Sequence, residues 1–181
     1  MKKVLVILAL SMFSFANAQK GSILVAGNVS YTSQKTGSVS SDEFVFAPKV
    51  GYQFSDKMTA GLEMSVGNSN FTNNDSENNF SLGAFLRYAV PLSGVFSAYA
   101  DLGVGMQSSE FMPNTGSDVK SDGFYVGLVP AIGVDLKKGF CLNFSIGGLG
   151  YDSLKPSGGD ATDTFNFSFG KQASVGISKN F

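Results

Sequence analysis

Histidine and tryptophan are absent from this chain, and cysteine occurs once, at Cys141. Without imidazole there is no histidine base and no histidine metal ligand, and a lone cysteine builds neither a zinc finger nor a disulfide scaffold. Charge is scarce as well. Asp, Glu, Lys and Arg make up 15% of the residues, against roughly a quarter in an ordinary soluble domain. Thirteen basic residues against fourteen acidic ones leave no basic footprint, so no nucleic-acid partner is expected. No long apolar run exists either: the longest, Val4 to Leu10, falls far short of the ~20 residues of a membrane helix. What is present is 43% apolar residues, 13% aromatics and 22 glycines in 181 residues. That composition excludes a disordered chain. The combination to explain is high apolarity with little charge, much glycine and no apolar stretch long enough for a spanning helix.

The short apolar run belongs to the first eighteen residues. Lys2 and Lys3 precede Val4 to Phe15, and Ala16-Asn17-Ala18 forms a small-x-small site. This is the pattern of a cleavable signal peptide, with the cut expected between Ala18 and Gln19. Residues 19–181 are then a single domain of the length one domain commonly has. The residue after the cut is Gln and not Cys, which argues against a lipid anchor.

The mature segment alternates instead of following a 3.6-residue period. Apolar residues recur at every second position over nine to twelve residues, the signature of a strand with two chemically different faces. Eight such segments are legible: Ser22 to Tyr31, Glu43 to Phe54, Met58 to Asn68, Asn79 to Val90, Val95 to Gln107, Gly123 to Leu136, Phe140 to Tyr151, and Phe165 to Phe181. Gly147-Gly148 breaks the phase of the seventh and predicts a β-bulge; Pro48 and Pro130 sit mid-strand and predict bulges too. The connections alternate in length. Tight turns follow the second, fourth and sixth segments, and polar stretches of ten to fifteen residues follow the others. This reads as an all-β, eight-stranded antiparallel up-and-down transmembrane β-barrel, closed so that no backbone group is left unpaired in lipid.

Charge decides which face meets lipid. The apolar face carries only Lys171 and Lys179, placed near opposite ends of the last strand where their ammonium groups are expected to snorkel to the two interfaces. Aromatics fall in two bands on that face. Tyr52, Phe54, Tyr88, Phe96, Phe140 and Phe181 lie by the short turns, and Tyr31, Phe44, Phe80, Phe124 and Phe165 lie by the long connections. Two such belts mark two membrane interfaces. The opposite face is small or polar and points inward, the reverse of a soluble barrel.

The inward charges form a pattern. Centring the second hairpin on Asp56 pairs residues whose numbers sum to 112, which sets Lys49 opposite Glu63. Arg87 and Asp101 lie diagonally across the next hairpin at a similar height. Lys49, Glu63, Arg87 and Asp101 are therefore expected to form an ion-pair network inside the barrel. The long-connection end holds ten acidic residues, among them Asp42, Glu110 and Asp152, against Lys35, Lys120 and Lys155. None has the spacing of a calcium loop, so no metal and no cofactor is expected.

With these features in place, the sequence resembles the small outer-membrane β-barrel proteins of the OmpA/OmpX-like type, in the form common in Bacteroidetes-like bacteria. The segments that carry the resemblance are Phe46 to Val66, Phe85 to Gly105 and Val129 to Tyr151, with the terminal Phe181. The resemblance implies a Gram-negative outer-membrane location. It also implies partners in outer-membrane lipid and lipopolysaccharide, and in the barrel-assembly machinery during insertion. The terminal pattern Ala173, Val175, Ile177 and Phe181 resembles the signal that machinery reads, with Lys179 as a departure from it. A monomer is expected, with no identifiable extracellular partner. The function expected is non-enzymatic: a polar, sealed lumen with acidic external loops in a structural or surface-interaction role. The alternative is a narrow passive channel for small or hydrophobic solutes, as in OmpW-like barrels. Outer-membrane enzymes that resemble this size use a catalytic histidine, which the chain does not have.

Overall fold

The computed structural model describes residues 21–36, 39–137 and 139–181; of Thr36, Val39, Lys137 and residues 171–173 only the backbone is described. Eight antiparallel strands close into one barrel in chain order: β1 Ile23–Thr36, β2 Val39–Gln53, β3 Met58–Phe71, β4 Ser76–Ser93, β5 Phe96–Met112, β6 Val119–Lys137, β7 Phe140–Pro156 and β8 Thr162–Asn180. The expected cleavage point, Ala18 and Gln19, lies outside the described residues.

Alternation decides the faces as read from the sequence. Leu62, Leu82, Val104 and Phe167 stand exposed on the outer wall, while Leu24, Phe85, Arg87 and Asp101 are buried inside. Both aromatic bands lie on the outer wall, with Tyr52, Tyr88 and Phe96 at the short-turn end and Tyr31, Phe44 and Phe124 at the other. No soluble protein leaves so much contiguous apolar surface uncovered, and a bilayer is the solvent it fits.

The strands differ from expectation in length. They run 14 to 19 residues, and the connections at the far end shrink accordingly: only residues 72–75 separate β3 from β4. The ladder does not stop where the apolar band stops, because polar side chains on both faces still permit backbone pairing in water. Asp42, Glu43, Glu77, Glu110 and Asp122 thus sit on strand ends, whereas Asp75, Asp118 and Asp160 lie in connections. Cross-strand contacts stiffen these projecting ends. Tyr31 donates to Asp42 at 3.0 Å, and Lys120 pairs with Glu110 at 3.1 Å.

Gly147 adopts φ +111°, a left-handed conformation that favours glycine. There the registers of β7 with both neighbours shift, as a bulge requires. Pro130 lies within the same shift, between Leu128 and Ala131. Pro48 does not mark a bulge. Phe46 pairs with Val66 and Lys49 with Glu63, the same register sum on both sides, so no residue is inserted. The ladder to β3 merely skips Ala47 and Pro48, where the proline has no N–H to give. Lys179 departs from the snorkelling expectation: it is buried, its ammonium 4.6 Å from the Phe140 ring centroid and 4.4 Å from that of Phe181, a cation–π arrangement within the aromatic band.

Closure is uneven. Ile23 and Phe181 exchange both backbone hydrogen bonds, at 3.1 and 3.0 Å, and the β1–β8 ladder continues through four pairs, from Leu24 with Asn180 to Gly27 with Ile177. It ends there, whereas the β3–β4 ladder runs from Met58 with Tyr88 to Asn70 with Ser76.

If the outer wall faces hydrocarbon, Leu62→Lys at mid-height on β3 lowers the unfolding free energy in phospholipid vesicles by ~2–4 kcal/mol. Asn70→Lys, on the same face but beyond the apolar band, changes it by no more than about 0.5 kcal/mol. Guanidinium titration followed by heat-modifiable gel mobility reads both.

Candidate functional site in the barrel lumen

Tight turns fix where the inward charges sit. The β2–β3 turn closes over Ser55-Asp56-Lys57, with Met58 N donating to the Ser55 carbonyl at 3.3 Å, and this sets Lys49 directly across from Glu63. Lys49 Nζ lies 2.7 Å from Glu63 Oε2. On the next hairpin Arg87 and Asp101 are direct cross-strand partners, not diagonal ones. Their contact is bidentate: Nε donates to Oδ1 at 2.7 Å and Nη2 to Oδ2 at 2.9 Å, the fork geometry that makes Arg–carboxylate pairs strong. A third contact joins the two pairs across the lumen, from Lys49 Nζ to Asp101 Oδ2 at 3.3 Å. The four residues of β2, β3, β4 and β5 thus form one connected cluster, Glu63–Lys49–Asp101–Arg87.

Three aromatic side chains hold this cluster. Tyr125 on β6 donates to Glu63 Oε1 at 2.8 Å. Tyr99 lies under the Arg87 guanidinium, 3.9 Å from ring centroid to Cζ, and Phe85 lies 5.2 Å from Lys49 Nζ. Sequence alternation gives Tyr99 and Tyr125 their inward phase but not their partners. Phe85 is harder to see, since apolar neighbours Ala84 and Leu86 leave it without a polar-versus-apolar contrast. Its signal is a glycine at the same level two strands away. A Cβ on Gly51 would come within 2.9 Å of Phe85 Cζ, so the missing side chain makes the room that Phe85 fills. Gly103 does the same for Glu63, whose carboxylate occupies the place a Cβ would take.

Two different environments lie on either side of the cluster. Toward the short turns, Ser22, Leu24, Thr59 and Ser178 are all buried, and Asn143 Nδ2 donates to Ser178 Oγ at 2.9 Å; Phe85, also buried, lies at the level of the cluster. Cys141 belongs to this lower region, paired in register with Asp135 and Ser178. Toward the far end the lumen opens into a cavity of about 990 Å³ lined by all four cluster residues and reaching Asn143, with Ser30, Ser81, Gln107, Tyr125 and Ser168 on its walls. Among the described residues no group of three or more His, Cys, Asp or Glu side chains is arranged to hold a metal ion.

The terminal residues divide. Val175 and Ile177 stand exposed on the outer wall, Phe181 closes the barrel against Ile23, and the side chain of Ala173 lies outside those described.

A family model described as outer membrane protein beta-barrel domain matches residues 4–172. Among curated proteins no significant sequence match is found. Among solved structures the chain is similar to Neisserial surface protein A, with a TM-score of 0.54 at 15% identity over 93% of this chain and 100% of that one. It is similar also to the outer membrane protein OprG of Pseudomonas aeruginosa, with a TM-score of 0.54 at 14% identity, covering 90% of this chain and 97% of that one. At these identities the likeness is one of fold.

The buried contact between Arg87 and Asp101 gives a sharp test. Asp101→Ala strands a guanidinium in the lumen and lowers stability by about 3–5 kcal/mol, while replacing both partners with apolar residues, as in Arg87→Met with Asp101→Leu, restores most of the loss. Unfolding titrations of the two variants beside the unsubstituted protein measure the difference.

Proposed function

Because the chain belongs to the outer membrane protein beta-barrel domain family, and so is an integral protein of the Gram-negative outer membrane, we propose that it is a non-enzymatic, non-conducting barrel. Its projecting strand ends and outward-opening cup then face the cell exterior. The observation that carries this reading is the connected cluster at mid-lumen. Lys49 reaches Asp101 of the neighbouring hairpin at 3.3 Å, and Arg87 and Asp101 are buried. An eight-stranded barrel has an interior just wide enough for its own side chains. A bidentate ion pair at this level, with Leu24, Phe85 and Thr59 also buried in the lumen, supports a section with no continuous water path. Opening it would separate charges in a low-dielectric interior, a step expensive enough to keep the plug shut.

The role that remains is structural or a matter of surface interaction. The acidic residues Asp42, Glu43, Glu110, Asp122 and Asp152 crowd one end of the barrel, and with so few cations there the surface disfavours acidic partners. The membrane partners are lipid and lipopolysaccharide around the apolar wall. The exposed Val175 and Ile177 with Phe181 at the seam supply the alternating C-terminal edge that the barrel-assembly machinery is proposed to read during insertion. The absence of histidine supports a non-enzymatic reading.

Planar-bilayer recording on the refolded protein tests it. Baseline current with no steady channel steps is expected for the unsubstituted barrel. Steady ohmic conductance under the same conditions overturns the proposal in favour of a narrow passive channel.

A further inference from the structure

The seam between the first and last strands is laddered only in its lower part; at the next position the Asn28 side chain still lies against Gly176, without a backbone pair. The β1–β8 ladder stops at Gly27 with Ile177. Continuing its register would pair Asn28, Val29 and Ser30 with Gly176, Val175 and Ser174; all six residues are described, yet none of these pairs forms. Just above, β8 slips against β7. Ser145 pairs with Ser174 but Gly147 pairs with Phe169, so extra β8 residues are looped out there and Gly170 takes φ +75°. The slip draws the upper part of β8 along β7 and away from the β1 register.

Three observations say what meets the gap. First, its height: it begins above the lower aromatic band and reaches Tyr31 and Phe165 of the upper one, so it faces the outer leaflet. Second, its flanks are apolar and among the most exposed of the large hydrophobics, with Val29 at 61%, Tyr31 at 67%, Phe165 at 66% and Phe167 at 72%. Third, the same two strands line the lumen cavity from within, through Asn28, Ser30 and Thr32 on one side and Asn166, Ser168 and Ser174 on the other. These six carry hydroxyls and amides and no charge. A slot with apolar lips opening past uncharged walls into a hydrogen-bonding chamber, whose charged side chains Lys49, Glu63, Arg87 and Asp101 lie deeper and Glu43 and Asp152 elsewhere in its lining, is amphipathic in the same sense as a bilayer lipid. Strand edges facing hydrocarbon also carry unpaired N–H and C=O groups, each of which costs several kcal/mol unless a polar partner reaches it.

We propose that the β1–β8 gap is a lateral entry through which a lipid of the surrounding bilayer seats its ester-and-hydroxyl head region in the upper cavity. Its acyl chain lies between Val29 and Tyr31 on one lip and Phe165 to Phe169 on the other. The head region supplies hydrogen-bonding atoms to the free strand edges, and the chain stays in hydrocarbon. The proposal concerns the upper lumen only and holds whether or not the ion-pair cluster below conducts.

The absence of tryptophan makes the test direct. Ser168→Trp places a sole fluorophore in the cavity beside the gap, and Ser81→Trp places one on β4, four strands away around the barrel. Both go into the full protein in phosphatidylcholine vesicles whose acyl chains are brominated, with folding checked by heat-modifiable mobility and Asn166→Trp as a second reporter beside the gap. The reporter at 168 is expected to be quenched roughly twofold more than that at 81, since acyl chains meet it from the lumen side as well as across the wall. A Ser30→Cys, Ser174→Cys disulfide on a Cys141→Ser background closes the gap and brings the quenching down to the level at 81; reduction restores it. Equal quenching at 168 and 81 overturns the proposal, as does excess quenching that survives the formed disulfide. So does a reporter at 168 that responds to aqueous acrylamide alone, which marks the gap as filled by water. If the disulfide does not form, the comparison of 168 with 81 decides.

Discussion

Backbone hydrogen bonding in hydrocarbon is the constraint on which this structure depends. A chain crossing lipid must pair its N–H and C=O groups within itself, and without helices that means closure of a sheet. Closure then divides every strand into a wall side and a lumen side, and the rest follows. The wall takes the apolar residues and both aromatic bands. The few charges within the membrane are driven into the lumen, where desolvation forces them to pair. The scarcity of charge in the composition is the mark of that wall, and the many glycines mark a lumen in which Gly51 and Gly103 make room for Phe85 and the Glu63 carboxylate.

The same constraint explains the polarity of the barrel from end to end. Short turns hold one end tightly, so the lumen there packs on Leu24 and Thr59. At the other end the ladders run on into water, and the interior widens into the cavity. Lys49, Glu63, Arg87 and Asp101 sit at the boundary between the two regimes, linked into one cluster and held by Tyr99 and Tyr125. The β1–β8 seam is where closure is thinnest, and its lower part is held by Ile23 and Phe181.

How much of this was legible in the sequence depends on what sets each feature. Lys49 opposite Glu63 is readable because a tight turn at Asp56 fixes the register by counting. The contact from Lys49 to Asp101 is not, since it crosses the lumen and depends on barrel curvature that no local pattern records. The strand ends beyond Asn68 and before Asn79 look like loops in the sequence because polar residues on both faces erase the alternation, although the backbone goes on pairing. A mid-strand proline eight residues before the turn centre at Asp56 suggests a bulge at Pro48, but one skipped rung does not need an inserted residue. The seam was illegible for a plain reason. The first and last strands share no hairpin, so no turn sets their register, and the slip at Gly170 acts from the far side of β8.

The central claim is that the cluster divides the lumen into a lower compartment and an upper one. The single native cysteine tests it. Cys141 lies below the cluster, and Ser81→Cys on a Cys141→Ser background places a thiol above it. In vesicles with the long strand ends outward, a small membrane-impermeant methanethiosulfonate added outside is expected to modify position 81 and leave Cys141 intact until the reagent is loaded inside. Modification of Cys141 from outside at the rate seen for position 81 would contradict the account.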